Sequence, residues 1–201
     1  MKNKTFLFID GSNLYSGQYD LFGPNKYLDF LLFIKLIETR LYIHFDKIYF
    51  YASYSPQPKR PTKKQKEYLK NEAFFYKSVK STKNVVFFTG YRSKVSGKEK
   101  EVDVKLAVDV VDFAHRDYYQ TIFLMSGDAD FMEALFAVRR LDRKITVLCL
   151  ENKIMFKSFA FFETHIIRFK QMPKFKKLTE TMKKNIHSLK LEARQTTELI
   201  P

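Results

Sequence analysis

Tryptophan is absent from the 201 residues, and cysteine occurs once, as Cys149. One thiol forms no internal disulfide, and its setting within ITVLCL marks a small apolar core residue rather than a nucleophile. The histidines are equally sparse. His44, His115, His165 and His187 stand far apart without paired metal-ligand spacing, so zinc is not indicated. No apolar run approaches a membrane span, and residues 1 to 9 lack the basic start, long apolar stretch and small-residue cleavage site of a secretory signal. The expectation is a cytoplasmic protein with no membrane association. Neither Gly-x-Gly-x-x-Gly nor a phosphate-loop lysine motif is present, which weakens a nucleotide-binding or phosphatase reading.

What the chain does have is aromatic bulk and positive charge. With 21 Phe, 12 Tyr and 45% hydrophobic residues there is ample apolar area for one core. The net charge of +14 favours a polyanionic partner. That charge is concentrated. Residues 59 to 83 hold nine Lys or Arg against two Glu, and residues 170 to 201 hold eight against three, leaving the rest nearly balanced. In the first segment Tyr68, Phe74, Phe75 and Tyr76 lie among the lysines. A solvated helix with its aromatics in the core is the plain interpretation, but cations interleaved with aromatics can also neutralise phosphates and stack bases. Lys59, Arg60, Lys63, Lys64 and Lys66 are the candidate phosphate contacts there, and Lys94, Lys98 and Lys100 of the basic stretch RSKVSGKEK are further candidates.

Apolar runs predict strands at about 4 to 9, 47 to 53, 84 to 90, 121 to 126 and 144 to 150, with a short sixth near 165 to 169. Their apolar positions are continuous rather than alternating, as in strands covered on both faces. Helical periodicity predicts helices over 27 to 42, with Leu28, Leu31, Leu32, Ile34 and Leu36 on an apolar face, and over 62 to 79, 101 to 116 and 129 to 141. This alternation implies an α/β fold, a parallel sheet of five or six strands flanked by helices on both faces. The domain is expected to span residues 1 to 170. Residues 171 to 201 read as a basic helical tail whose stripe of Leu178, Met182, Ile186 and Leu189 could dock on the body or form a homodimer.

Two acidic motifs end apolar runs where a strand should yield to a helix: FLFIDGSNLY at 6 to 15 and IFLMSGDADF at 122 to 131. Parallel strands collect their carboxyl ends along one sheet edge, so Asp10 and Asp128 are expected to be neighbours. A third motif, KEVDVKLAVDVV at 100 to 111, offers Asp103 near a helix start. Clustered carboxylates repel one another unless a cation lies between them, and such hard oxygen donors suit Mg2+ or Mn2+. Each residue also has a plainer role. Asp10 or Ser12 could cap one helix, and Ser126 or Asp128 the next, with Asp130 an ordinary first-turn acid. The Asp-x-Ser-Asn grouping exceeds what one cap needs, which makes Asn13 and Ser126 candidate positioners. Ser12 occupies the place where a haloacid-dehalogenase-type phosphatase would require a second Asp. Asp109 lies about 120° round the helix from Asp103, so Asp103 is the favoured ligand and Asp109 a supporting or salt-bridging candidate.

Taken in this order, F-I-D-G-S-N-L, K-E-V-D-V-K-L-A-V-D and S-G-D-A-D-F resemble the motifs of the NYN family of PIN-like domains, in particular its LabA-like branch. The resemblance covers about residues 4 to 150. It implies a PIN-like, Rossmannoid sheet and a metal-dependent ribonuclease in which Asp10, Asp103, Asp128 and, less directly, Asp130 hold Mg2+ or Mn2+, with Asn13 and Ser126 in support. Single-stranded or structured RNA is the implied partner. The rival reading is a PIN-like module that binds RNA or a protein and cleaves nothing.

Overall fold

In a computed structural model, residues 3–23, 26–90, 101–172 and 174–176 are described. The apolar runs become strands β1 (Thr5–Asp10), β3 (Lys47–Ala52), β4 (Val85–Thr89), β5 (Thr121–Met125), β6 (Lys144–Leu150) and β7 (Glu163–Ile167). They form one six-stranded sheet in the order β4-β3-β1-β5-β6-β7, with every neighbouring pair parallel. Helices α1 (Gly11–Phe22), α2 (Phe30–Leu41), α3 (Lys63–Lys80), α4 (Val102–His115) and α5 (Met132–Arg139) complete the alternation. Burial follows strand position. Five of six residues of central β1 are buried, whereas edge strand β4 is only partly covered.

Alternation along β1 divides the core between the two faces of the sheet. Leu7 and Ile9 enter one cluster with Leu14, Tyr15, Phe30 and Phe75 from α1, α2 and α3, while Phe6 and Phe8 enter another with Leu106, Val110 and Leu135 from α4 and α5. The aromatic bulk is spent largely here: Phe75 and Tyr76 of the basic helix are fully buried, as the plain interpretation of that segment holds, while Tyr68 and Phe74 are half-buried.

Local chemistry sets several boundaries. Asp29 caps α2 through Leu32 N (3.1 Å), so this helix starts at Phe30 rather than 27. Its buried face is Phe30, Phe33, Ile34 and Ile37; Leu31 and Leu32, expected on that face, are about half exposed, at 48% and 49%. Residues 26–28 instead form β2 (Lys26–Leu28), antiparallel to β8 (Lys174–Lys176). Residues 174–176 are therefore strand where a helix was expected. Thr62 and Gln65 form a capping box at the start of α3, each side chain bonding the other's backbone N–H. The segment expected as one helix over 129 to 141 opens as a 3-10 turn, Ala129–Phe131, before α5 begins. No helix among the described residues is long and apolar enough to cross a membrane. Lys94, Lys98, Lys100 and the apolar stripe from Leu178 to Leu189 lie outside the described residues.

Candidate functional site

The chain winds outward from β1 in one direction through β3 and β4, and in the other through β5, β6 and β7. The reversal leaves a crevice beyond the carboxyl ends of β1 and β5, the place where ligands bind in open α/β sheets. Asp10 is the last residue of β1, and Ser126 follows the last residue of β5.

Asp10 is only 5% exposed, and both its oxygens are engaged by the fold. Oδ1 accepts the N–H of Asn13 at 2.9 Å, capping α1, and Oδ2 accepts the hydroxyl of Ser126 at 2.9 Å. The Ser126 oxygen in turn accepts the N–H of Asp128 at 3.0 Å. Asn13 Oδ1 accepts the N–H of Gly127 at 3.1 Å, tying the start of α1 to the turn after β5. Asp128 caps the 3-10 turn, with Oδ1 accepting the N–H of Asp130 at 2.9 Å. The capping roles are thus real, and they coincide with a position on the crevice. Two close approaches require glycine. A Cβ on Gly11 would lie 2.1 Å from the Phe50 ring, and one on Gly127 would lie 2.2 Å from the Lys153 carbonyl oxygen.

A cleft of about 320 Å³ opens above these turns, and Asp10, Asp103 and Asp128 all line it, alongside Ser12 and Asn13. Asp103 and Asp128 stand exposed on its rim. Asp130 is exposed but not part of the lining. Asp109 faces elsewhere: it is buried, accepts the Tyr51 hydroxyl at 2.8 Å and pairs with Lys105, joining α4 to β3. Burial, reinforced by that bond, pushes the Tyr51 hydroxyl well above its ordinary pKa. Lys59, Arg60, Lys63, Lys64 and Lys66 are exposed on the loop before α3 and on its first turns.

The sequence reading missed Glu72. It is 3% exposed, lines the same cleft, and accepts both the N–H (2.9 Å) and the hydroxyl (2.7 Å) of Ser55. A signal existed, because Glu72 shares the helix face of Tyr68, Phe75, Tyr76 and Val79, where an acid needs a buried partner.

Among the described residues no three His, Cys, Asp or Glu side chains are grouped so as to hold a metal ion between them. The donor chemistry nonetheless fits a hydrated divalent cation. All four acidic lining groups offer hard oxygens, and magnesium commonly keeps several waters while bonding one or two carboxylates.

No curated protein matches the chain significantly. Among solved structures it is similar to a protein of unknown function from Vibrio parahaemolyticus RIMD 2210633, with a TM-score of 0.58 and 16% identity over 84% of this chain and 93% of that one. That likeness concerns the fold alone. The family model described as the NYN domain matches residues 4–168, a stretch that takes in all six strands of the parallel sheet. The chain belongs to the NYN domain family, whose PIN-like nuclease fold it adopts.

Proposed function

We propose that this NYN domain is a metal-dependent ribonuclease that hydrolyses RNA phosphodiester bonds in the cleft at the β1/β5 switch point. One observation carries the reading: acidic side chains from three distant segments, Asp10, Asp103 and Asp128, line one crevice of a domain whose family has a PIN-like nuclease fold. The same motifs favour the LabA-like branch. Asp10, Asp103 and Asp128 would hold Mg2+ or Mn2+, with Asp130 as an auxiliary beside Asp128. When bound, such an ion supplies Lewis acidity and an activated water.

The chain's own residues do the rest. Ser126 and Asn13 fix the rotamer of Asp10 and the turn carrying Asp128, so the acidic wall is set before substrate arrives. Lys59, Arg60, Lys63, Lys64 and Lys66 attract flanking phosphates that the carboxylates alone would repel, giving affinity without base readout. Binding to single-stranded RNA should weaken with salt, at a slope of about −0.7 per phosphate contact.

The test is cleavage of labelled single-stranded RNA with manganese by the wild type, Asp10→Asn and Asp128→Asn. Manganese-dependent cleavage lost in both variants supports the reading; cleavage retained in both would assign it to a contaminant. The exposed cations Lys59, Arg60, Lys63, Lys64 and Lys66 serve equally a second reading, an RNA-binding module without turnover. Salt-sensitive binding with no cleavage under any divalent ion selects it.

A further inference from the structure

We propose that a nucleotide next to the scissile phosphate sits in a second groove beside the carboxylate cleft, and that Ser55, between the two, reads its ribose 2′-hydroxyl. This rests on the reading above that the chain binds nucleic acid, and it supplies a physical basis for preferring RNA to DNA.

The second groove, of about 410 Å³, lies between the loop after β3 and the first half of α3. Pockets of this size suit small ligands. It shares Ser55 and Glu72 with the carboxylate cleft, so the two compartments meet at those residues. Beyond them its lining suits a nucleotide. Tyr54, 40% exposed, offers an aromatic surface and is braced by Tyr76, 5.3 Å away and near perpendicular. Exposed Lys66 and Lys70 supply cations for a phosphate. Base stacking on an aromatic ring with lysines on the backbone is a general means of holding single strands without regard to sequence.

Chemistry at the meeting point is more selective. Ser55 donates both its N–H and its hydroxyl proton to Glu72, which is buried and receives one on each carboxyl oxygen. Among the described residues no group donates to Ser55 Oγ. A serine hydroxyl whose proton is committed presents only lone pairs to an incoming ligand. Such an oxygen, beside a buried acid, disfavours phosphate oxygens and favours a donor. With one phosphate at the aspartates and the next at Lys66 and Lys70, the group brought to Ser55 is the intervening sugar. Its 2′-hydroxyl is the donor that every ribonucleotide has and every deoxyribonucleotide lacks. Glu72 acts as the positioning residue, holding the acceptor in place.

The experiment measures equilibrium binding of sequence-matched single-stranded ribose, deoxyribose and 2′-O-methyl oligonucleotides to the full chain by fluorescence anisotropy, with calcium as the divalent ion. The wild type should bind ribose about 2- to 12-fold more tightly than either other form, the range for one neutral hydrogen bond. Ser55→Ala should bring the three affinities together, and Ser55→Thr, which keeps the hydroxyl, should retain the preference. Tyr54→Ala should weaken all three by about 5-fold or more while leaving their ratio unchanged. Because each ratio is measured on one preparation, partial misfolding of a variant cancels from it. Equal wild-type binding of ribose and deoxyribose strands, or an unaltered ratio in Ser55→Ala, overturns the assignment of Ser55 while leaving nucleic-acid binding intact. Failure of the wild type to bind any of the strands overturns the nucleic-acid reading and this inference together.

Discussion

Replacing Ser126 with alanine removes one oxygen and two hydrogen bonds. Its hydroxyl donates to Asp10 Oδ2 at 2.9 Å and accepts the Asp128 N–H at 3.0 Å, in a residue only 2% exposed. A hydrogen bond to a carboxylate contributes roughly 1.5–3 kcal/mol, and a neutral one about 1 kcal/mol. Asp128 lies on the rim, where water can replace part of the second bond, but Asp10 is buried and recovers little. The expected loss is therefore about 2–4 kcal/mol. For a chain of this size each kcal/mol lowers Tm by roughly 2–4 °C, so the variant should melt about 5–15 °C lower. Urea titration followed by circular dichroism should show a lower midpoint with an unchanged slope. A double-mutant cycle with Asp10→Ala should return a coupling of about 1–2 kcal/mol. If the protein cleaves RNA as proposed, loss of the Ser126 bond that orients Asp10 should lower turnover on the order of 10- to 100-fold. A midpoint shift equivalent to less than about 0.5 kcal/mol would show that Ser126 does not anchor Asp10.

Alkali should unfold the protein, because Tyr15, Tyr51 and Tyr119 have pKa values raised chiefly by burial. An unfolded tyrosine loses its proton near pH 10. Above that pH the unfolded chain binds fewer protons than the folded one, so stability that is full below pH 10 falls by about 1.4 kcal/mol per pH unit for each such tyrosine. Tyrosinate absorbance should therefore rise for these residues together with loss of structure; gradual ionisation of all twelve tyrosines with the fold intact would contradict this. Cys149 is 1% exposed, donates its S–H to the Ser126 carbonyl at 3.4 Å, and has its thiol pKa raised by burial. Alkylation at pH 8 should then be slow in buffer and rapid in denaturing urea, and prompt labelling of native protein would refute the burial of Cys149.

Much of the sheet was legible because its strands are buried on both faces, where an unbroken apolar run is itself the signal. Residues 144 to 150 show this, matching β6 end to end. Strands β2 and β8 were not legible. Each has three residues, and they become strands only through pairing between segments almost 150 positions apart. The apolar face of α2 was misjudged because its start was misplaced: with Asp29 as cap, Leu31 and Leu32 turn outward. At the site, the placement of aspartate at strand ends indicated which segments approach the crevice, and the helical angle between Asp103 and Asp109 anticipated their divergence. Glu72 and Ser55 escaped notice because neither belongs to an acidic motif, and their mutual bonds depend on how the loop after β3 folds against α3.

The arrangement of the sheet also ties the acidic cleft to one particular seam. Residues up to 90 build one half, β4-β3-β1, and residues from 101 build the other, β5-β6-β7. Asp10 and Asn13 belong to the first half; Ser126, Gly127 and Asp128 belong to the second. The contacts that stitch them, Ser126 to Asp10 and Gly127 to Asn13, lie at the head of the β1–β5 junction. Neither fragment alone contains the crevice. Any slip between β1 and β5 is therefore transmitted at once to Asp10 and Asp128.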